Sequence, residues 1–490
     1  MTGAARETES MDAKGASGAV DAVVVGAGPN GLTAAIQLAR AGYSVTVLEA
    51  AHQIGGGARS AELTLPGFVH DVCSAIYPFG RTSPAFAGLH LERHGLEWVE
   101  PPIAIGHPLD DEPAVLVHRD VETTARQLGP DADAYRRLMD PVVGSWEVLL
   151  PDVLAPFHVP LNPVRTIRLA RFGLQAIRSA TSVARRFRTD AARALFAGAA
   201  AHSILRLTEP VSAAAGVLML ASAHADGWPF PKGGAGRLSE ALGAELLASG
   251  GQIETGRRVA SMEDLPDHGI ALFDVAPRGL LAITGDRLGG GYRTALERYR
   301  YGPGVFKLDM AIEGTVPWRD RALERAGTVH LGGTLEEIAR SEAEVAAGRV
   351  PRRPFVLLAQ QSLFDRTRAP DGRNTVWAYC HVPNGSSEDA TEPILRQIER
   401  YAPAFRERIL AMVATGPADL ERYNANDVGG DISGGRLDLE QLFTRPAWRI
   451  DPYSTPDPAI VLCSASTPPG GGVHGMCGYH AARTALRRLS

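Results

Sequence analysis

Residues 23–50, VVVGAGPNGLTAAIQLARAGYSVTVLEA, constrain the fold more than any other stretch of this chain. Residues 22–25 are a short apolar run between Asp21 and Gly26, the pattern of a buried parallel strand. Gly26, Gly28 and Gly31 follow as G-x-G-x-x-G. The first glycine permits a tight bend, the second lets a pyrophosphate lie on bare backbone, and the third lets the next helix sit close to the sheet. That helix is expected over residues 32–41, with free N–H groups at its start to attract phosphate, and Gly42 ends it. Residues 43–48 read as a second strand, with Glu49 at its tip, placed for a ribose 2′-hydroxyl. Strand, turn, helix, strand and acid in this order predict a dinucleotide-binding unit; a glycine turn within another α/β sheet is the alternative.

With 490 residues and 45% hydrophobic content the chain can bury a large core, and its length suggests two or three domains. A formal charge of −5 gives no reason to expect nucleic acid. Cys73, Cys380, Cys463 and Cys477 show no C-x-x-C and no ligand spacing, so they read as small buried hydrophobes in a reducing compartment, with no metal expected. Residues 1–18 are small, polar and charged, which fits a disordered leader rather than a signal peptide, and a cytoplasmic location is expected. The uncharged run 210–225 is too short to span a bilayer and reads as a core helix.

Directly after Glu49, residues 54–60, IGGGARS, form a second glycine-rich turn. Gly56 and Gly57 can wrap the far side of the same pyrophosphate, and Arg59 can add charge-assisted hydrogen bonds to it. This pair of motifs resembles the flavoprotein superfamily that holds phytoene desaturases and amine oxidases. The resemblance implies FAD as cofactor, a flavin domain assembled from separate chain segments, and residues 68–74 as a wall near the isoalloxazine. Two further cofactor segments should then exist. Residues 228–262 supply one: a helix with Leu238, Leu242, Leu246 and Leu247 on one side, Gly250 and Gly251, and a strand around Ile253. By the resemblance, Val259 meets the adenine through its backbone. Residues 269–275 continue as a buried strand, with Pro277 and Arg278 opening a helix. Residues 459–490 supply the other, and their PPGGGVHGMCGYHAA is similar to the phytoene desaturase-related branch. A glycine run opening a helix offers N–H groups to developing negative charge. The resemblance assigns Gly471, Gly472, Val473 and Met476 to the flavin.

The expected architecture is α/β: a discontinuous Rossmann-type FAD-binding domain at 19–90, 228–295 and 450–490, with a mixed α+β substrate domain at 91–227 and 296–449. Strand signals at 305–312, 354–361 and 375–381 suggest an antiparallel sheet, and residues 393–413 read as a helix. Residues 428–435 form a glycine loop; relatives carry a similar loop near the flavin, so Asp431 is either a site residue or part of a simple turn. Residues 165–188 hold seven arginines and no acid. Leu169, Phe172, Ala176, Ala180, Val183 and Phe187 make an apolar stripe with Arg171, Arg178 and Arg185 away from it. Such a helix either packs on its own domain, which the alanine-rich stripe favours, or makes peripheral contact with an anionic membrane.

No motif declares a catalytic side chain. His474, inside the flavin-approaching turn, is the candidate for proton transfer or positioning, with His480 structural. Lys307 is the counterpart, by analogy, of the amine oxidase lysine that holds a water near flavin N5, although its strand context does not match. The resemblance implies hydride transfer from a hydrophobic, isoprenoid or lipid-like substrate to flavin N5, with the electron acceptor unspecified. An amine or amino-acid oxidase, a redox-neutral polyene isomerase, and a low-turnover flavoprotein acting through protein partners are the alternatives.

Overall fold

The structure, a computed structural model, describes residues 19–490, and the expected leader at 1–18 lies outside them. A five-stranded parallel sheet runs in the order Ile460–Leu462, His268–Phe273, Val20–Val25, Val45–Leu48, Gln252–Glu254. The two strands flanking Val20–Val25 come from opposite parts of the chain. Alternation within that strand sends Ala22 and Val24 into one apolar layer and Val23 and Val25 into another. The first layer is closed by the helices Pro29–Arg40, Gly236–Ala248 and Met476–Leu489 through Leu32, Leu238 and Ala481. Leu280, Ile283 and Leu296, from Pro277–Thr284 and Gly290–Glu297, close the second. Burial on both faces stabilises each Val or Leu by about 1.5–3 kcal/mol, which explains why these strands are continuous apolar runs. Leu238, Leu242 and Leu246 are buried as expected, but Leu247 is exposed, because it lies one residue round the helix from that stripe.

A seven-stranded mixed sheet runs in the order Ile409–Thr415, Gly304–Glu313, Arg373–Val382, Val356–Ala359, Ala326–Leu331, Ile103–His107, Val115–Val117. All its pairs are antiparallel except Ala326–Leu331 with Ile103–His107. One face is apolar: Leu308, Met310, Leu358 and Ala378 pack on Ile394 and Ile398 of the helix Thr391–Tyr401. The other face looks back towards the parallel sheet.

The helix expected over 393–413 is corrected by the structure. It ends at Tyr401, and Ile409–Thr415 is an edge strand. Pro403 disfavours helical geometry at Ala402, which takes φ −132° and ψ 76°, and Ala404 is left-handed at φ 61°. The stripe of 165–188 is likewise not one helix. It divides into Pro163–Ala176 and Ala180–Ala184, the second capped by the Ser179 hydroxyl, which accepts from the Ser182 N–H. Phe172, Ala176, Ala180, Val183 and Phe187 are buried in the protein's own core. Residues 210–225 contain the helix Ser212–Ala225, buried along much of its length. Among the described residues no helix is long and apolar enough to cross a membrane.

Candidate functional site

The C-terminal ends of the parallel strands meet at a narrow cleft lined by Gly28, Asn30, Gly56, Gly57, Asp274 and Gly471–Val473, among others. Gly26 has φ +103°, and a Cβ there would lie 2.8 Å from the Asp274 carbonyl oxygen. A Cβ on Gly31 would lie 2.1 Å from the Gly26 oxygen, so only glycine lets the helix Pro29–Arg40 start this close to the strand. Glu49 is buried; its two carboxylate oxygens accept the N–H groups of Ala27 and Ala51, each at 2.8 Å. It therefore fixes the glycine turn, and its remaining lone pairs are what a ribose hydroxyl would use.

The second turn packs on the first. The Gly55 N–H donates to the Ala27 carbonyl at 2.8 Å, and a Cβ on Gly56 would stand 3.2 Å from the Gly28 Cα. Arg59 is buried, donates from Nε to the Gly56 carbonyl at 2.8 Å, and lies 4.3 Å above the Tyr423 ring, a partner the sequence did not suggest. Opposite stand Gly471, Gly472 and Val473, and Cys73 and Ser74 from the expected 68–74 wall complete that end.

Of the expected cofactor residues, Gly28, Gly56, Gly57, Gly471, Gly472 and Val473 line the cleft; Gly26, Gly31 and Glu49 shape the turn behind it. Val259 packs its side chain with Leu48 and Phe273 beneath the sheet, and Met476 lies in the main core as the first residue of the last helix. His474 is buried, and its Nδ1 accepts the Met476 N–H at 3.1 Å while its carbonyl accepts from the Ser83 hydroxyl. Burial, aided by His480, pushes its imidazole down to about 4, so it is neutral at physiological pH. Asp431 is consumed by its own loop, accepting N–H groups from Gly302, Ser433 and Gly435 at 2.7–2.8 Å.

Four residues that no local motif marks also reach the site. Asp274, at the end of His268–Phe273, places Oδ2 2.9 Å from the Gly31 N–H, and a Cβ on Gly28 would strike that oxygen at 2.7 Å. Burial and the nearby Glu49 push its carboxyl up to about 7. Asn426 holds the Ala276 N–H at 2.8 Å, and Asp427, raised well above the carboxylate range by burial, leaves Oδ2 without a partner. Arg445 is buried behind Gly434 and Ala465, with Nη1 unpartnered near Gly470.

Beyond Cys73, the inward face of the seven-stranded sheet is polar. Lys307 is buried, with Nζ 2.6 Å from Asp309 and donating to the Asp71 carbonyl at 3.0 Å. Trp377, Tyr379 and His381 follow on the same face, ring against ring at 5.0 and 5.7 Å. The Glu342 carboxylate accepts from His381 Nδ1 at 2.9 Å, and His381 Nε2 has no partner. His202 and His330 meet through their Nε2 atoms at 3.1 Å; Nδ1 of His330 and Nδ1 of His107 are unpartnered. Among the described residues no group of side chains is arranged to hold a metal.

Three observations fit a dinucleotide: two bare glycine turns in contact, a carboxylate fixed at the ribose position, and the unpartnered oxygens of Asn30 and Asp427 at the cleft wall. One opposes it. The free volume is about 140 Å³, below the roughly 300 Å³ at which ligand pockets begin, and the Asp274 carboxyl stands where a pyrophosphate would approach Gly28.

Comparison with known proteins agrees with this geometry. Residues 24–89 match the family described as NAD(P)-binding Rossmann-like domain. The chain is 26% identical to pyridine nucleotide-disulfide oxidoreductase domain-containing protein 2 of Rattus norvegicus, over 96% of this chain and 94% of that one. It is 26% identical to a phytoene dehydrogenase of Streptomyces griseus, over 90% and 85%. Among solved structures, putrescine oxidase superposes at 18% identity over 96% of this chain, a double mutant with TM-score 0.62 over 99% of its own chain and the wild type with 0.61 over 98%.

Proposed function

We propose that the chain is an FAD-dependent oxidoreductase that removes hydride from a hydrophobic, isoprenoid or lipid-like substrate, a reading supported by its similarity to phytoene dehydrogenase and by the fold it shares with putrescine oxidase. The observation that carries the reading is the meeting of three distant segments at one cleft, to which each brings bare glycine backbone at Gly28, Gly57 and Gly472. When bound, FAD supplies the hydride acceptor at N5. The glycine turn, with Arg59 behind it, would hold the pyrophosphate, and Glu49 the ribose. The Gly470–Gly472 run, with Arg445 beside Gly470, would supply backbone N–H groups and a positive charge to the part of the flavin that becomes anionic on reduction. His474 is a positioning residue in this scheme: it stays neutral and fixes the run to the last helix. The buried walls exclude water and align the substrate.

A second reading draws on the sheet face. A substrate with an ionisable amine or hydroxyl would meet Lys307, Tyr379 and the Glu342–His381 pair, groups that a plain polyene does not need. Anaerobic titration of the FAD-loaded protein separates the two. Bleaching of the oxidised flavin band by polyenes or lipids supports the first reading, and bleaching by amines or alcohols replaces it with the second. Tight FAD with no bleaching by either removes both and leaves the isomerase or the low-turnover flavoprotein.

A further inference from the structure

The apolar stripe through Phe172 and Ala176 packs on the protein's own core, but the opposite side of the same helix does not. On Pro163–Ala176, Val164, Ile167, Arg171 and Leu174 recur at steps of three and four and are all exposed. The loop before the helix adds Phe157 at 78% exposure and Leu161 fully exposed. Phe157 meets Phe443 edge to face at 5.4 Å, which joins this surface to the segment carrying Trp448 at 81% exposure and Ile450 fully exposed. So many exposed large apolar side chains on two segments in contact are uncommon on a protein that functions without a partner there.

Charge indicates the partner. Arg168, Arg171 and Arg178 on the helix side have no carboxylate partner among the described residues, whereas Arg165 is taken by Asp152 at 2.5 Å. A groove of about 850 Å³ runs along the inner edge of this helix, with Leu138, Phe172 and Leu174 interleaved with Arg137, Arg168 and Arg186. Bulky apolar groups set among unpaired arginines match the boundary between acyl chains and anionic headgroups. A second copy of the chain fits poorly, because a two-fold contact through this face would set the same arginines against each other. We propose that the surface formed by residues 157–174 and 443–450 docks the protein on an anionic lipid membrane. The proposal stands apart from the redox reading, since vesicle binding is read without any flavin reduction.

The test is co-sedimentation of the full-length, FAD-loaded protein with vesicles of phosphatidylcholine containing phosphatidylglycerol, against vesicles of phosphatidylcholine alone. The wild type is expected to pellet with the anionic vesicles and to be released as salt rises. Combining Leu161→Ser, Trp448→Ser and Ile450→Ser is expected to lower the bound fraction about tenfold or more, and Arg168→Gln with Arg171→Gln to abolish the preference for anionic lipid. All the substituted groups lie at the surface, and retained flavin absorbance checks that each variant is folded. A wild type that stays in the supernatant, or a triple variant that pellets like it, overturns the proposal. So does a wild-type dimer that the triple substitution dissociates without any vesicle binding.

Discussion

The parallel sheet buries Val23, Val24, Ala271 and Leu272, and makes its ligand cleft from backbone, whereas the seven-stranded sheet buries Lys307, Asp309, His330 and His381 on the face it turns inward. The first arrangement needs few particular side chains. Any apolar residue of the right size keeps the strands, and the glycines must merely remain glycines, so such a site persists at low identity. The second arrangement takes charges and imidazoles out of water at a cost of several kcal/mol per uncompensated ion. Burial pushes His107 down to about 4 and His202 to about 3, and Asp309 up to about 6. A face kept polar against that cost is where the specificity of this chain is to be sought.

The contrast is broken hardest at Arg368, which joins the two regions. Its buried guanidinium pairs with Asp71 at 2.7 Å and Asp365 at 3.1 Å. Arg368→Leu leaves both carboxylates buried without their cation, and about 3–5 kcal/mol of stability should be lost in denaturant titration. Loss under about 1 kcal/mol would mean that the polar layer is solvated and not a constrained site. Next comes Gly31→Val, whose Cβ collides with the Gly26 carbonyl. FAD affinity measured by flavin fluorescence should fall about a hundredfold, near 2.7 kcal/mol, with the seven-stranded sheet undisturbed.

The smallest effect is a slope. The Asp274 carboxyl, raised to about 7, is neutral below that pH and anionic above it. A raised acid contributes stability that is lost as pH climbs from about 4 to about 7, and above it the new charge opposes the pyrophosphate. FAD affinity should therefore fall about tenfold per pH unit above about 7, and Asp274→Asn should flatten the slope while Asp427→Asn leaves it. A slope unchanged by Asp274→Asn would remove Asp274 from cofactor binding.

What the sequence disclosed follows the same division. The two glycine turns, Glu49 and the Gly470–Gly472 run are local, since each states its backbone geometry within a few residues. Asp274, Asn426 and Asp427 reach the cleft from the ends of segments whose own patterns say only strand or loop, and nothing local tells that their side chains converge. Residues 165–188 show the limit of periodicity. The stripe through Phe172 and Ala176 marks the packed face, but the exposed side carrying Val164, Ile167 and Leu174 is hidden in the same sequence, because buried and exposed apolar residues are written in the same letters. The strand Ile409–Thr415 reads as a continuation of the helix before it by apolar content alone, and Pro403 is the local stop that separates the two.

Consider finally how the parallel sheet comes into being on the ribosome. Val20–Val25 emerges early, yet one neighbour, His268–Phe273, is about 250 residues away, and the sheet gains its last strand from Ile460–Leu462. The nascent chain thus carries an unpaired apolar strand edge while most of the other sheet is already made, a state open to wrong pairing and to chaperones. Residues 459–490, with the strand Ile460–Leu462, the glycine run and the helix Met476–Leu489, close that edge.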